Sequence, residues 1–263
     1  MKLLGAGRDE VNIKGWLTAD KRFPGLKIRP VEKTLREDIK VQMDQLAMIN
    51  PGAIFVYSTA RFVHNKSIYS LEVVQGHGFS DSLGCYVTGD PVDPENHLTT
   101  VKSEELIQMF SEFGCHTRSI VITDFCHSGN FFRLPYKLEL SKNGTGPEWI
   151  ETEGTSGSDT GPNKLASPMI HLAGSTRDEQ VMETGRIGGY FTDGLSKIGT
   201  KKLPELLAEL RAEVNVHLEQ AKSYPGFTVD ARQTPQIYSS SKLSLDDPDI
   251  LTKFYLQEIK SHL

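Results

Sequence analysis

Ser119-Ile120-Val121-Ile122 is the stretch that most restricts what this chain can fold into. A run of this kind has no polar face to turn toward water, so the strand it forms must be covered on both sides. It stops abruptly in Asp124-Phe125-Cys126-His127-Ser128-Gly129. In an open parallel sheet, ligands bind beyond the carboxyl ends of the strands, which puts Cys126 where chemistry is commonly done. Upstream, Leu71 to Val74 leads in the same way into Gly76-His77-Gly78, with His77 49 residues ahead of Cys126. A thiol and an imidazole are therefore each expected just past the end of an apolar strand.

The remainder of the chain alternates helical and strand-like patterns. Asp9 to Ala19 sets Val11, Ile13, Trp16 and Leu17 near one side of a helix, and Thr34 to Ile49 sets Ile39, Met43, Leu46 and Met48 mostly on one face of a longer one. Leu26 to Glu32 reads as a short strand, Ala53 to Tyr57 as a buried strand, and Leu83 to Thr88 as another, followed by a polar loop from Gly89 to Thr100. Ser103, with Glu104 and Glu105 behind it, is the expected N-cap of a helix running to Phe113. Pro168 to Gly174 is a further core strand, Leu203 to Ala221 an amphipathic helix, and Ile250 to His262 a last helix. Between these lies Ser141 to Asn163, rich in Gly, Ser, Thr and acidic residues without periodicity, which reads as an exposed, mobile loop. Such alternation points to βαβ units and a mainly parallel sheet.

Composition bounds the rest. At 263 residues, 38% hydrophobic and 24% charged, the chain suffices for one sizeable α/β core, and one domain over 1–263 is the default. A net charge of −5 with scattered lysines and arginines speaks against a nucleic-acid or anionic-membrane surface. No run approaches a membrane span, and Met1-Lys2-Leu3-Leu4 is too short for a signal peptide, so a cytoplasmic location is expected. Three cysteines at irregular spacing, Cys85, Cys115 and Cys126, make no disulfide framework.

Asp124-Phe125-Cys126-His127-Ser128-Gly129 resembles the D-x-C-H-S-G box of the metacaspases, in the clan of caspases, and Gly76-His77-Gly78 resembles their G-H-G box. The histidine-to-cysteine spacing also matches that of caspases. Leu134-Pro135-Tyr136 is similar to the fungal and plant type; Ser175-Thr176-Arg177-Asp178-Glu179-Gln180 to the family's K-D-x-Q loop; Gly188-Gly189-Tyr190-Phe191-Thr192 to its G-G-x-F-T helix start; and Gln233 to Ser240 to its P-Q-x-S-S ending. The resemblance implies a three-layer caspase-like sandwich, a mainly parallel central sheet with helices on both faces, and proteolysis of the kind linked to programmed cell death. It implies that the 141–163 loop separates large and small portions of one catalytic domain, with Lys142 and Lys164 as candidate processing points. Two departures stand out. The family's opening core strand, which would precede Leu4 to Asp9, is missing, so the sheet is expected to carry an edge or gap there. Tyr57-Ser58, which in the family runs straight into G-H-G, is separated from it by the 17 residues Thr59 to Gln75, either a retained intron or a genuine extra hairpin.

A cysteine becomes a nucleophile as its thiolate, and a nearby imidazole can hold or accept the proton. Cys126 is the candidate nucleophile of a cysteine-type endopeptidase and His77 its base; by resemblance the N–H groups of Gly78 and Cys126 would receive the oxyanion. Asp124 stands where caspases carry glutamine, and a carboxylate there pairs with a basic side chain, which predicts cleavage after Arg or Lys in protein or peptide substrates. Asp9, at the family's G-C-x-x-D aspartate though Ala6 replaces the cysteine, is a second substrate-binding acid. Ser58 is a third pocket residue if the insert is absent. Asp124 can also be read as a structural cap on neighbouring N–H groups. Calcium, often needed in the family, is not expected: Arg133 stands where a carboxylate ligand would be, and Asp81 and Asp90 form no acidic cluster. A zinc site from His77, Cys85, Cys115, His116 and Cys126 lacks supporting spacing. The alternative function is a catalytically weak or inactive homologue acting as a binding or regulatory module.

Overall fold

The structure, a computed structural model, describes residues 5–19, 23–28, 35–59, 78–79, 85–87, 99–141, 146–152, 165, 167–224, 227 and 230–256. In chain order the first elements are helices α1 (Ala6–Thr18) and α2 (Arg36–Ile49), strands β1 (Ala53–Thr59), β2 (Gly78–Phe79), β3 (Cys85–Val87) and β4 (Thr100–Lys102), and helix α3 (Ser103–Ser111). Strands β5 (Arg118–Asp124), β6 (Tyr136–Glu139), β7 (Glu148–Glu151), β8 (Met169–Ala173), β9 (Glu183–Thr184) and β10 (Gly188–Gly189) follow. The chain then forms helices α4 (Tyr190–Lys197) and α5 (Leu203–Ala221), strand β11 (Gln236–Ser239) and helix α6 (Ile250–Leu256).

Six strands make the central sheet in the order β1-β5-β8-β11-β6-β7. β1, β5 and β8 are parallel, while β11 runs against both β8 and β6, and β7 against β6. Alternation along the strands divides the core in two. Ile120 and Ile122 of β5, Ile170 and Leu172 of β8 and Ile237 of β11 pack with Trp16, Phe191, Leu207, Leu210 and Phe254, from α1, α4, α5 and α6. Val121, Met169, Ala173 and Tyr238 turn the other way, toward Met43, Ile107 and Phe110 of α2 and α3. Each fully buried aliphatic side chain of this kind contributes about 1.5–3 kcal/mol, so β5, covered on both faces, is held from both sides at once. The fold is thus a three-layer α/β sandwich, as the apolar runs require.

Several elements differ from expectation. Leu26 to Ile28 is irregular backbone, and 29–32 lie outside the described residues. Ser103 is not the N-cap but the first helical residue; its hydroxyl donates to the Phe131 carbonyl at 2.5 Å, and the Glu105 carboxylate takes over the capping of the Lys102 N–H at 2.8 Å. Within the expected loop 141–163, Glu148–Glu151 is a strand, because Trp149 buries its ring and donates Nε1–H to the Leu243 carbonyl at 2.8 Å. Among the described residues β1 pairs directly with β5 over seven register positions and stands at the edge of the sheet. Of the Thr59 to Gln75 segment only Thr59, the end of β1, is described; the rest, with His77, Lys142 and Lys164, lies outside the described residues.

Candidate functional site

β5 delivers Asp124, Phe125 and Cys126 in succession, and each goes a different way. Phe125 enters the α2/α3 side of the core, edge-on to Tyr86 and Phe131 at 5.3 Å from each. Tyr86 is paired in β3 with Gly78 of β2, so a small separate sheet fixes the Gly78 backbone through the ring packed on the residue before the thiol. Cys126 is 0% exposed, and the Val181 N–H points at its Sγ at 3.4 Å.

The Cys126 loop is tightly constrained. His127 has φ +60°, uncommon for a residue with a side chain. Its N–H donates to the Glu179 carbonyl at 2.9 Å, and its Nδ1 donates to the Arg177 carbonyl at 2.6 Å, an atom able only to accept. Arg177 returns the contact, donating to the carbonyls of Gly129 and Asn130 at 3.2 and 3.4 Å. A Cβ on Gly129 would stand 2.6 Å from the Arg177 nitrogen, so only glycine fits this close approach. The segment from Ser175 to Met182 is thereby strapped across the thiol. Its far side is tied down by Glu179, which accepts from the Thr234 N–H and hydroxyl at 2.7 and 2.8 Å, and by Gln233, which accepts from Met182 N–H at 2.8 Å.

On the α4 side of the sheet three carboxyl groups converge. Asp9 of α1 is 1% exposed, Asp124 of β5 4%, and Glu183 of β9 9%. Asp9 Oδ1 accepts the Gly189 N–H at 2.8 Å, and Asp124 Oδ2 accepts the Thr192 hydroxyl at 2.6 Å and the Thr192 N–H at 3.2 Å. The start of α4 thus receives both aspartates, where a helix dipole favours negative charge. Two adjacent glycines make room: a Cβ on Gly188, whose φ is +87°, would fall 2.1 Å from Asp9, and one on Gly189 2.3 Å from Asp124. One oxygen of each acid, Asp9 Oδ2, Asp124 Oδ1 and Glu183 Oε2, is buried without a hydrogen-bond partner. Burial chiefly, and then mutual repulsion, pushes Asp9 well above the usual carboxylate range and Glu183 up to about 8; burial raises Asp124 too, against the lowering effect of the Thr192 bonds. Leaving three such atoms unmet is costly, and the arrangement has the chemistry of a receptor for a cationic group.

The sequence-predicted residues divide accordingly. The structure brings Asp124 and Asp9 together and sets Cys126 two residues beyond Asp124. Ser58 pairs in register with Thr123 and alternates away from Tyr57, whose hydroxyl instead meets the Thr192 hydroxyl at 2.9 Å. Thr192 and Tyr57 lay within family-like motifs of the sequence but were given no role in the site, and for Glu183 no signal existed apart from an acid following the apolar pair Val181-Met182. Arg133, at φ +52°, forms an ion pair with Glu104, so a cation at this position would meet another cation and Arg133 does not fit a calcium site; Asp81 and Asp90 lie outside the described residues. No helix among the described residues is long and apolar enough to cross a membrane.

No family model matches the chain, and no curated protein matches it. Among solved structures, protein GSU0716 from Geobacter sulfurreducens is similar at 10% identity and a TM-score of 0.51, over 91% of this chain and 87% of that one. Caspase-1 from Spodoptera frugiperda is matched at 15% identity and a TM-score of 0.49, over 98% of this chain and 84% of that one. The structure of pro-sf-caspase-1 is matched at 16% identity and a TM-score of 0.42, over 92% and 83%. At 10% identity the likeness to protein GSU0716 is one of fold alone.

Proposed function

We propose that the protein is a caspase-like cysteine endopeptidase of metacaspase type that cleaves after arginine or lysine. The observation that carries this is the trio of buried, cation-seeking carboxyls, Asp9, Asp124 and Glu183, at the end of the strand that delivers Cys126. In the reaction, the Cys126 thiolate attacks the carbonyl carbon after the basic residue, and the oxyanion is held by the N–H groups of Gly78 and Cys126. The C–N bond breaks as protonated His77 passes its proton to the leaving amine; His77 then takes a proton from water, whose attack on the thioester releases the acid and returns Cys126 as thiolate beside protonated His77. His77 enters on the sequence box alone. Gly78, its neighbour, is linked to the Cys126 loop through the Tyr86–Phe125 contact. No calcium step is included, and a cytoplasmic location fits the thiol chemistry.

A second reading, a binding module with little or no turnover, is favoured by the full burial of Cys126 under the strap. Turnover of fluorogenic peptides ending in arginine or lysine, compared between the protein and Cys126→Ala, separates the two. Loss of at least a thousandfold in the variant is expected. Equal rates would remove Cys126 from the mechanism, and basic peptides that bind without being cut would establish the module.

A further inference from the structure

Asp124 is the only one of the three acids that is held at one oxygen by two donors from the same residue. A threonine hydroxyl has a single proton, and here it goes to Asp124 Oδ2. The Thr192 oxygen can therefore only accept from Tyr57, whose hydroxyl lies 2.9 Å away. The result is a directed chain, Tyr57 to Thr192 to Asp124, crossing from the edge strand β1 through α4 to the end of β5. The other oxygen, Oδ1, is buried without a partner, and Gly174 packs so closely against it that a Cβ there would come within 3.0 Å.

We infer that Thr192, supported by Tyr57, is a positioning residue that makes Asp124 the cation-reading acid of the site: it fixes Oδ2 and leaves Oδ1 for the incoming basic side chain. The inference deepens the peptidase reading and takes its substrate class from it, but its geometry stands apart from catalysis. Without the hydroxyl, Asp124 would sit among the other charged and titratable groups packed around it with one donor, the Thr192 N–H. Among the described residues those groups are Asp9 from α1 and Glu183 from β9, both acids, with Tyr57 from β1 behind Thr192 and Cys126 beyond; Asp193 of α4, which acts on Asp9, is itself paired with Lys197 and with His217 of α5. A carboxyl in that setting takes a proton readily, and a protonated Asp124 offers a guanidinium no charge.

Thr192→Val keeps the shape and removes the donor; Thr192→Ser keeps the donor; Tyr57→Phe removes the second link. Each is assayed between pH 5 and 9 on matched peptides ending in arginine or in citrulline, which is isosteric and neutral. In parallel, the titration of the Asp124 carboxyl is followed by carbon-13 NMR without substrate. In Thr192→Val the preference for arginine is expected to fall roughly tenfold near neutral pH, mainly through KM. The acid limb of the arginine profile and the Asp124 titration should both move up by about one pH unit. Thr192→Ser should restore both, and Tyr57→Phe should shift them part of the way in the same direction. An unchanged arginine-to-citrulline ratio and titration in Thr192→Val would overturn the inference, as would a loss that serine does not restore. If the protein cuts neither peptide, the peptidase reading fails while the NMR titration still decides the positioning. If Thr192→Val does not fold, an unmoved titration in Tyr57→Phe overturns it.

Discussion

Burying Glu183 beside Asp9 and Asp124 makes its carboxyl harder to ionise in the folded chain than in the unfolded one, from an ordinary 4.5 to about 8. Between those values the folded state holds a proton that the unfolded state has lost, so this group's contribution to stability declines as pH rises through the window and is at its least favourable above about 8. Glutamine has nearly the shape of the protonated acid and never carries the charge. Glu183→Gln should therefore match the parent near pH 5 and become more stable than it at pH 8.5, by on the order of 2 kcal/mol after allowing for partial solvation. Thermal melts of both proteins from pH 5 to 9 check this, and a difference that does not grow with pH would show that Glu183 is not under the strain described. Above about pH 8, where Glu183 is ionised, the same substitution should also weaken selection of basic peptides, since the proposed receptor for a cation is made less negative.

The elements that matter most for the site are the Cys126 loop and the strap, joined where Gly129 meets Arg177. Gly129→Ala places a methyl group 2.6 Å from one backbone atom and 2.7 Å from another, so the strap itself must move, at a cost of about 1–3 kcal/mol. A fall in denaturation midpoint together with faster alkylation of Cys126 is expected; an unchanged midpoint would mean that the two segments are not in register as described. Residues 118–124 and 169–173 were legible in the sequence because a strand buried on both faces must be apolar throughout, and Asp124 and Cys126 because such a run ends at them. β6, β9, β10 and β11 were not legible, being two to four residues long and stabilised by partners far away in the chain, as in the pairing of Tyr238 with both Lys137 and His171. Glu183 escaped for the same reason, and Thr192 was visible only as the end of a helix-start motif with no role attached. What makes them a site is the folding of the β9–β10 turn and α4 onto the end of β5, with Asp9 of α1 held against Gly189, and no local pattern records that. Asp9 was reached only through family resemblance.

At the scale of the whole molecule, the parallel strands β1, β5 and β8 are locked by a core on each face, whereas the strap over Cys126 is held by a set of hydrogen bonds from Arg177, Glu179, His127 and Gln233. Two routes could expose the thiol. Opening the sheet would require both cores to come apart and would expose as much surface as unfolding. Lifting the strap would break polar contacts and expose little. The routes differ in their response to denaturant, because the dependence on urea scales with the surface uncovered. In the native protein a small alkylating reagent should modify the exposed Cys115 quickly and Cys126 slowly. As urea is raised below the unfolding transition, the rate at Cys126, followed residue by residue by mass spectrometry, should rise with a slope well below the m-value of global unfolding. A slope equal to that m-value would mean the nucleophile is reached only by unfolding, which would remove the strap as a gate and count against the protein as a peptidase in this state. Modification of Cys126 as fast as Cys115 would contradict the burial itself. A shallow slope, steepened little by Gly129→Ala but raised throughout, would place the opening in the contacts between the strap and the Cys126 loop, with the sheet and the three buried acids left in place.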